Sequence, residues 1–202
     1  MSRLPAAKRR AQLLDTAAEL FAAHGYARAT TSQLAKAAGV TEPIIYRHFK
    51  SKRDLFVALI ERTGKETLQQ WEQDLARSSD PAARLKLLLG DNPMVTESGR
   101  SAYRVILQAI SETDDPVIRK ALEQHIRSLH EFIATELADA MESGRVPDRF
   151  SPEVVAWLLI HVGMGYGVLS AMEIEDQGMD AGGVHVQQVL GVALLGRRPK
   201  SS

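Results

Sequence analysis

The stretch that most constrains this chain is Thr30 to Asp54, TTSQLAKAAGVTEPIIYRHFKSKRD. It specifies two short helices, a tight turn between them and the start of a third. Thr30 is placed to accept from the backbone N–H three residues on while Gln33 reaches back, the spacing of a capping box. Leu34, Ala35 and Ala38 give that helix an apolar face, and Gly39 ends it where a positive φ costs little. Val40 fills the turn. Thr41 stands at the cap of the second helix, with Pro43 in its first turn, where a missing N–H is tolerated. Ile45 and Phe49, four apart, face inward, which leaves Glu42, Ile44, Tyr46, Arg47 and His48 for other faces. Two helices joined by a glycine turn form a helix-turn-helix, whose second helix fits the major groove of DNA.

A net charge of zero over 202 residues argues against a polyanion partner, but the distribution reverses that. Residues 1–55 hold ten Lys and Arg against four Asp and Glu, and the remainder 15 against 21, so a +6 head precedes a −6 body. That asymmetry points one end of the chain at nucleic acid. Cysteine is absent, which removes disulfides and thiolate metal sites and fits a reducing cytoplasm. The N-terminus MSRLPAAKRR is charged without an apolar region, unlike a secretory signal. The longest apolar stretch, Val154–Leu169, is interrupted by His161 and falls short of the ~20 residues of a membrane span. A soluble protein without a membrane partner is expected.

Residues 6–24 read as an amphipathic helix with Leu14, Ala17, Ala18 and Phe21 on one face. Lys8, Arg9 and Arg10 near its start oppose the helix dipole, so phosphate contacts or a mobile arm explain them better than helix stability does. Ser51 and Asp54 open a long helix to about Arg77, with Leu55, Leu59, Leu68 and Leu75 inward. Three later helices start with one device, a capping residue before proline: Asp80-Pro81, Asp115-Pro116 and Ser151-Pro152. They run over roughly 81–90, 116–143 and 152–173; others span about 95–112 and 182–196. The 116–143 helix carries an apolar row, Ile118, Leu122, Ile126, Leu129, Ile133, Leu137 and Met141. No alternating β pattern of useful length occurs. The chain is expected to be all-α: a three-helix head over 1–55 and a helical ligand-binding and dimerisation domain over 56–202.

Residues 30–55 resemble the DNA-binding domain of the tetracycline-repressor (TetR) family of bacterial transcriptional regulators. The run GVTEPIIYRHFKSKRDL carries the resemblance through its Gly-Val turn, Tyr-x-x-Phe spacing and Lys-Ser-Lys step, and the 6–24 helix extends it. Beyond residue 60 only helix number and order are similar. The resemblance implies that Thr31 binds phosphate through its hydroxyl, and that Glu42, Pro43 and Ile44 approach base edges. It implies backbone contacts for Tyr46 and His48 and phosphate contacts for Lys50 and Lys52, with Thr41 at the helix start and Arg47 on either a guanine or a phosphate. Glu42 departs from the Ser-Lys or Ser-Arg pattern common at that place in the family.

Gly163, Gly165 and Gly167 spell G-x-G-x-G, but they lie inside an apolar helix with no strand before it, so close helix packing is expected rather than a nucleotide loop. That helix is apolar nearly all round and needs burial on two sides. A second subunit supplies one of them in the expected dimer, through Val155, Leu159, Val162 and Tyr166, with Val189, Leu190 and Ala193 of the last helix. Trp71, Tyr103, His125, Phe132, His161 and Met164 are the candidates for a mostly apolar effector pocket. The six histidines show no metal spacing, and no Ser–His–Asp or paired-carboxylate arrangement stands out, so neither metal, cofactor nor catalysis is expected.

The expected function is a cytoplasmic, homodimeric, ligand-responsive regulator that binds a double-stranded, palindromic operator. It acts as a repressor, and a small, largely apolar effector releases it. The alternative is an all-α small-molecule-binding protein or enzyme with a vestigial helix-turn-helix. An architectural DNA binder without effector is the third reading.

Overall fold

The computed structural model describes residues 4–90, 97–144, 146–174, 176 and 185–195, with the backbone alone at 86, 89–90, 97–103, 170, 187 and 194–195. In that range the chain is helical: α1 Ala6–His24, α2 Thr31–Ala37, α3 Glu42–His48, α4 Lys52–Leu75, α5 Pro81–Gly90, α6 Glu97–Ile110, α7 Pro116–Glu142, α8 Pro152–Ala171 and α9 Val186–Leu195. The expected extensions of the sixth helix to 95 and the last to 182 and 196 lie outside the described residues.

Packing divides the chain into two units, and the division is not a single cut. Residues 1–64 and 101–125 form unit 1; residues 65–100 and 126–202 form unit 2. α4, α6 and α7 therefore each contribute to both. The expected boundary at residue 55 falls inside α4 and within unit 1.

In unit 1 the apolar face of α1 is buried at Leu13, Leu14, Ala17 and Phe21, and α2 and α3 add Leu34, Ala35 and Ile45. The first half of α4 gives Leu55, Phe56, Leu59 and Ile60, and α6 gives Val105, Ile106 and Ala109. Phe21, Tyr26 and Phe56 meet as an aromatic triad: Tyr26 stacks on Phe56 at 4.1 Å between centroids, and Phe21 stands edge-on to both at 5.5 Å. Arg62 of α4 pairs with Asp15 of α1 at 2.6 Å.

In unit 2 one core joins Trp71 and Leu75 of α4, Leu85 and Leu88 of α5, Leu129, Ile133 and Leu137 of α7, and Val155, Ala156 and Ile160 of α8. The proline-marked starts are capped as expected at two places. Asp115 Oδ1 accepts from Val117 and Ile118 N–H at 2.9 and 3.4 Å, and Ser151 Oγ accepts from Val154 N–H at 3.4 Å. Glu136, 7% exposed, is neutralised by Arg84, whose Nε donates to Oε2 at 2.7 Å and whose Nη2 donates to the other oxygen. This bidentate pair, with the Glu136 hydrogen bond as the first cause, holds the Arg84 guanidinium above its ordinary pKa.

α8 is 20 residues long, longer than the apolar stretch Val154–Leu169, and by length and composition alone it could cross a membrane, a test that the core helix of a soluble protein also passes. One face, with Val155, Ala156, Ile160, Gly163 and Gly167, is buried within unit 2. The other leaves Val154, Trp157, Leu158, Val168 and Leu169 exposed, as is Met172 just beyond the helix end.

Candidate nucleic-acid interface

The reading head is built from locally specified parts. Gln33 N–H donates to Thr30 Oγ1 at 3.2 Å and Thr30 N–H donates to Gln33 Oε1 at 2.9 Å, so the capping box at the start of α2 is closed. Gly39 takes φ +64°, and Val40 N–H returns to the Ala35 carbonyl at 2.9 Å, fixing the turn. Thr41 sits at the cap of α3 with extended backbone, yet its side chain makes no capping bond. The reason is local: Pro43 has no N–H to offer, and Ile44 N–H is already given to the Thr41 carbonyl at 2.9 Å. Ile45 and Phe49 are each 1% exposed, and the Arg10 guanidinium lies 4.8 Å from the Phe49 ring centroid.

On the outer side, Pro43, Tyr46, Arg47 and Lys50 are exposed, as is Thr41, while Glu42, Ile44 and His48 are half-buried. Thr31, half-buried, donates its hydroxyl proton to Glu42 Oε2 at 2.9 Å and lies 3.2 Å from the Tyr46 hydroxyl. The structure thus joins three of the expected DNA-contacting side chains in one hydrogen-bonded cluster. At the next helix start, Asp54 N–H donates to Ser51 Oγ at 3.1 Å, and Lys50 N–H donates to Asp54 Oδ2 at 2.9 Å.

Lys52 differs from the expectation of a phosphate contact. Its Nζ donates to the carbonyls of Tyr26, Ala27 and Ala29 at 2.9, 3.2 and 3.0 Å and lies 4.5 Å from the Tyr26 ring centroid. The connection between α1 and α2 presents carbonyls outside any helix ladder, and an ammonium with three protons satisfies all three. Gln108 of α6 holds the same junction, donating from Nε2 to the Phe21 carbonyl at 2.8 Å and accepting from Tyr26 N–H at 3.1 Å. Burial first, then the Glu112 and Asp115 carboxylates, hold the Tyr26 hydroxyl above its ordinary pKa. Neither role is visible in the sequence, because Gln108 is 82 and 87 residues from its partners.

The expected effector residues are distributed over both units. Trp71 and Phe132 meet in the core of unit 2, with ring centroids 5.6 Å apart, and Met164 packs against that core. His161 is exposed and stacks on Trp157, centroids 6.2 Å apart. His125 is buried in unit 1, and the Tyr103 side chain lies outside the described residues. Of the expected dimer residues, Val155 is 3% exposed and belongs to the unit 2 core, Leu159, Val162, Tyr166 and Leu190 are half-buried, and Val189 and Ala193 are exposed. A shallow depression in unit 2 lined by Leu137, Met141, Val146, Phe150, Val155 and Ala193 contains none of the expected effector residues.

Residues 13–59, covering most of this reading head, match the family of bacterial regulatory proteins called tetR. The chain is 32% identical to the HTH-type transcriptional regulator TtgR of Pseudomonas putida, over 73% of this chain and 72% of that protein. It is 34% identical to the HTH-type transcriptional activator FasR of Mycolicibacterium smegmatis, over 53% of this chain and about half (49%) of that protein. A transcriptional regulator from Saccharomonospora viridis, solved in complex with choline, superposes with a TM-score of 0.80 at 23% identity, over 95% of this chain and all (100%) of that one. Fold and site define a helix-turn-helix, DNA-binding regulator rather than an enzyme. The chain belongs to the TetR family of transcriptional regulators.

Proposed function

We propose that the protein is a cytoplasmic homodimeric repressor that leaves a palindromic operator when a small, largely apolar effector binds. The observation that carries the DNA reading is the surface of α3, where Pro43, Tyr46, Arg47 and Lys50 are exposed beside a buried Ile45 and Phe49. A helix braced on one side and open on the other, at the end of the +6 head, suits the major groove. Thr31, Tyr46, His48 and Lys50 hold the backbone; Glu42, Pro43 and Ile44 approach bases.

Dimerisation is supported by α8. Its exposed positions Val154, Leu158, His161, Gly165 and Val168 recur at alternating steps of four and three, the seam spacing of paired helices. Two copies then set their recognition helices one turn of DNA apart, about 34 Å. The effector reading is supported by Trp71, 8% exposed in an apolar core, whose Nε1–H has no hydrogen-bond partner among the described residues. A buried donor without acceptor is costly, and an oxygen of the effector would relieve it. Trp71 and Lys52 lie on the same helix, α4, so an effector that prefers one placement of α4 shifts the population of DNA-competent heads.

Selection of bound duplexes from random sequence, followed by titration of the best one, tests the reading. Affinity should fall steeply between about 50 and 200 mM salt. Tyr46→Phe should weaken binding without changing helicity or assembly; unchanged affinity removes Tyr46 from the interface, and a flat salt response removes the phosphate contacts.

A further inference from the structure

The cluster at the start of α3 has a fixed direction of proton donation. A carboxylate only accepts, so in the 2.9 Å contact Thr31 is the donor and Glu42 Oε2 the acceptor. A threonine hydroxyl has one proton. With that proton given to Glu42, the 3.2 Å contact between Thr31 and Tyr46 is made only by Tyr46 donating to Thr31. Both hydroxyl protons therefore run toward one carboxylate: Tyr46 to Thr31, and Thr31 to Glu42.

A DNA phosphate oxygen also only accepts. Neither hydroxyl can donate to it while the relay to Glu42 is intact. We propose that Glu42 is an internal competitor for DNA: its carboxylate occupies the acceptor place that a backbone phosphate takes on Thr31 and Tyr46, and it thereby sets specificity. Sequence-independent contact must break the relay and bring a phosphate near an anionic side chain. On a correct operator the released Glu42 carboxylate itself accepts from a base edge, such as a cytosine N4 amino group, and that contact, which a random duplex lacks, offsets the cost. Glu42 thus suppresses binding to random DNA more than binding to the operator. The inference rests on the reading of this face as the DNA surface.

The test measures binding of a random-sequence duplex and of the selected operator at fixed salt, for the full-length protein. Glu42→Ala should tighten random-duplex binding by about tenfold, the equivalent of one charge-assisted hydrogen bond no longer lost, and tighten operator binding less. Removing any acidic group near phosphates also helps, so two further proteins separate the causes. Glu42→Gln removes the charge but keeps an oxygen for Thr31, and should gain much less than Glu42→Ala. In a Thr31→Val, Tyr46→Phe background there are no hydroxyls to release, and adding Glu42→Ala should bring only the small gain seen with Glu42→Gln. Equal gains for Ala and Gln that persist in that background would show plain charge repulsion and overturn the proposal. Weaker binding by both Glu42 variants would make the residue a brace between α2 and α3 and overturn it as well. If the wild-type chain and every variant bind no duplex, the functional reading itself falls, an outcome distinct from wild-type binding without a gain.

Discussion

Gly64 in α4 and His125 in α7 approach so closely that a β-carbon at 64 would lie 2.6 Å from His125 Nδ1. The histidine is 5% exposed, so its ring has little room to retreat. Gly64→Ala sets two effects against each other. Alanine in a helix interior gains up to about 1 kcal/mol over glycine, whereas overpacking a close contact costs about 1–3 kcal/mol. The clash should win, and urea denaturation should show a net loss of stability. Adding His125→Ala removes the obstructing ring, so the double variant should lose less than the sum of the singles.

Burial also pushes the His125 imidazole down to a pKa of about 4 from the usual 6.5. A depressed histidine pKa favours the folded state only while the ring is neutral. As pH falls below about 6.5 the unfolded chain takes up a proton that the folded chain refuses, and stability is lost down to about 4. Between pH 7.5 and 5.0 the loss is roughly 2 kcal/mol. Denaturation at those two pH values should show His125→Gln losing less than wild type by that amount; parallel losses would mean that the ring takes its proton within the fold.

Local chemistry was legible in the sequence. The α2 capping box, the Gly39 turn and the Asp115 and Ser151 caps each involve residues two to five apart, and each forms as its spacing dictates. What eluded reading was long-range partner choice. The family resemblance expects Lys52 at a phosphate, and nothing local in the sequence shows the three carbonyls 23–26 residues upstream to which its ammonium donates. The phase of α8 was also hidden. A helix apolar all round has no preferred side in its sequence, and Val155, expected on the open face, lies in the core, while Val154 and Leu158 are the exposed neighbours.

That phase is testable by one pair of variants. Leu158 is 44% exposed and Val155 is 3% exposed. Leu158→Glu should leave helicity and melting close to wild type and shift sedimentation from dimer to monomer. Val155→Glu places a carboxylate inside unit 2 and should unfold it, since an unpaired buried charge costs several kcal/mol. If Leu158→Glu remains dimeric, the α8 stripe is not the interface.

The Arg84–Glu136 pair separates charge from packing. Arg84→Met strands a carboxylate that is 7% exposed, and should cost about 3–5 kcal/mol. Removing the second charge as well leaves no unpaired ion in the core of unit 2, so Arg84→Met with Glu136→Leu should be less destabilised than Arg84→Met alone. Chemical denaturation at pH 7 checks the order; a double variant that loses as much as or more than the single would mean that lost packing, not charge, is responsible.

The two side-chain hydrogen bonds of Gln108 are not equivalent. The Phe21 carbonyl that accepts from Gln108 also accepts from Gly25 N–H at 2.8 Å, so it keeps a partner when the glutamine is removed. Tyr26 N–H donates to Gln108 Oε1, and no second acceptor for it is found among the described residues. Gln108→Met keeps the side-chain length and removes both bonds, so the damage should fall on Tyr26. Hydrogen exchange should quicken at the Tyr26 amide and leave Gly25 protected, with a global loss of about 1–3 kcal/mol for one unsatisfied donor. Since the Tyr26 carbonyl is also a ligand of Lys52, at the first residue of α4, loosening it frees the ammonium that braces the start of that helix. Operator affinity should therefore fall several-fold although the hydrogen-bond partners of Gln108 among the described residues lie outside α2 and α3. An operator affinity that stays at the wild-type value while the Tyr26 amide exchanges freely would show that the reading head is held by Lys52 alone.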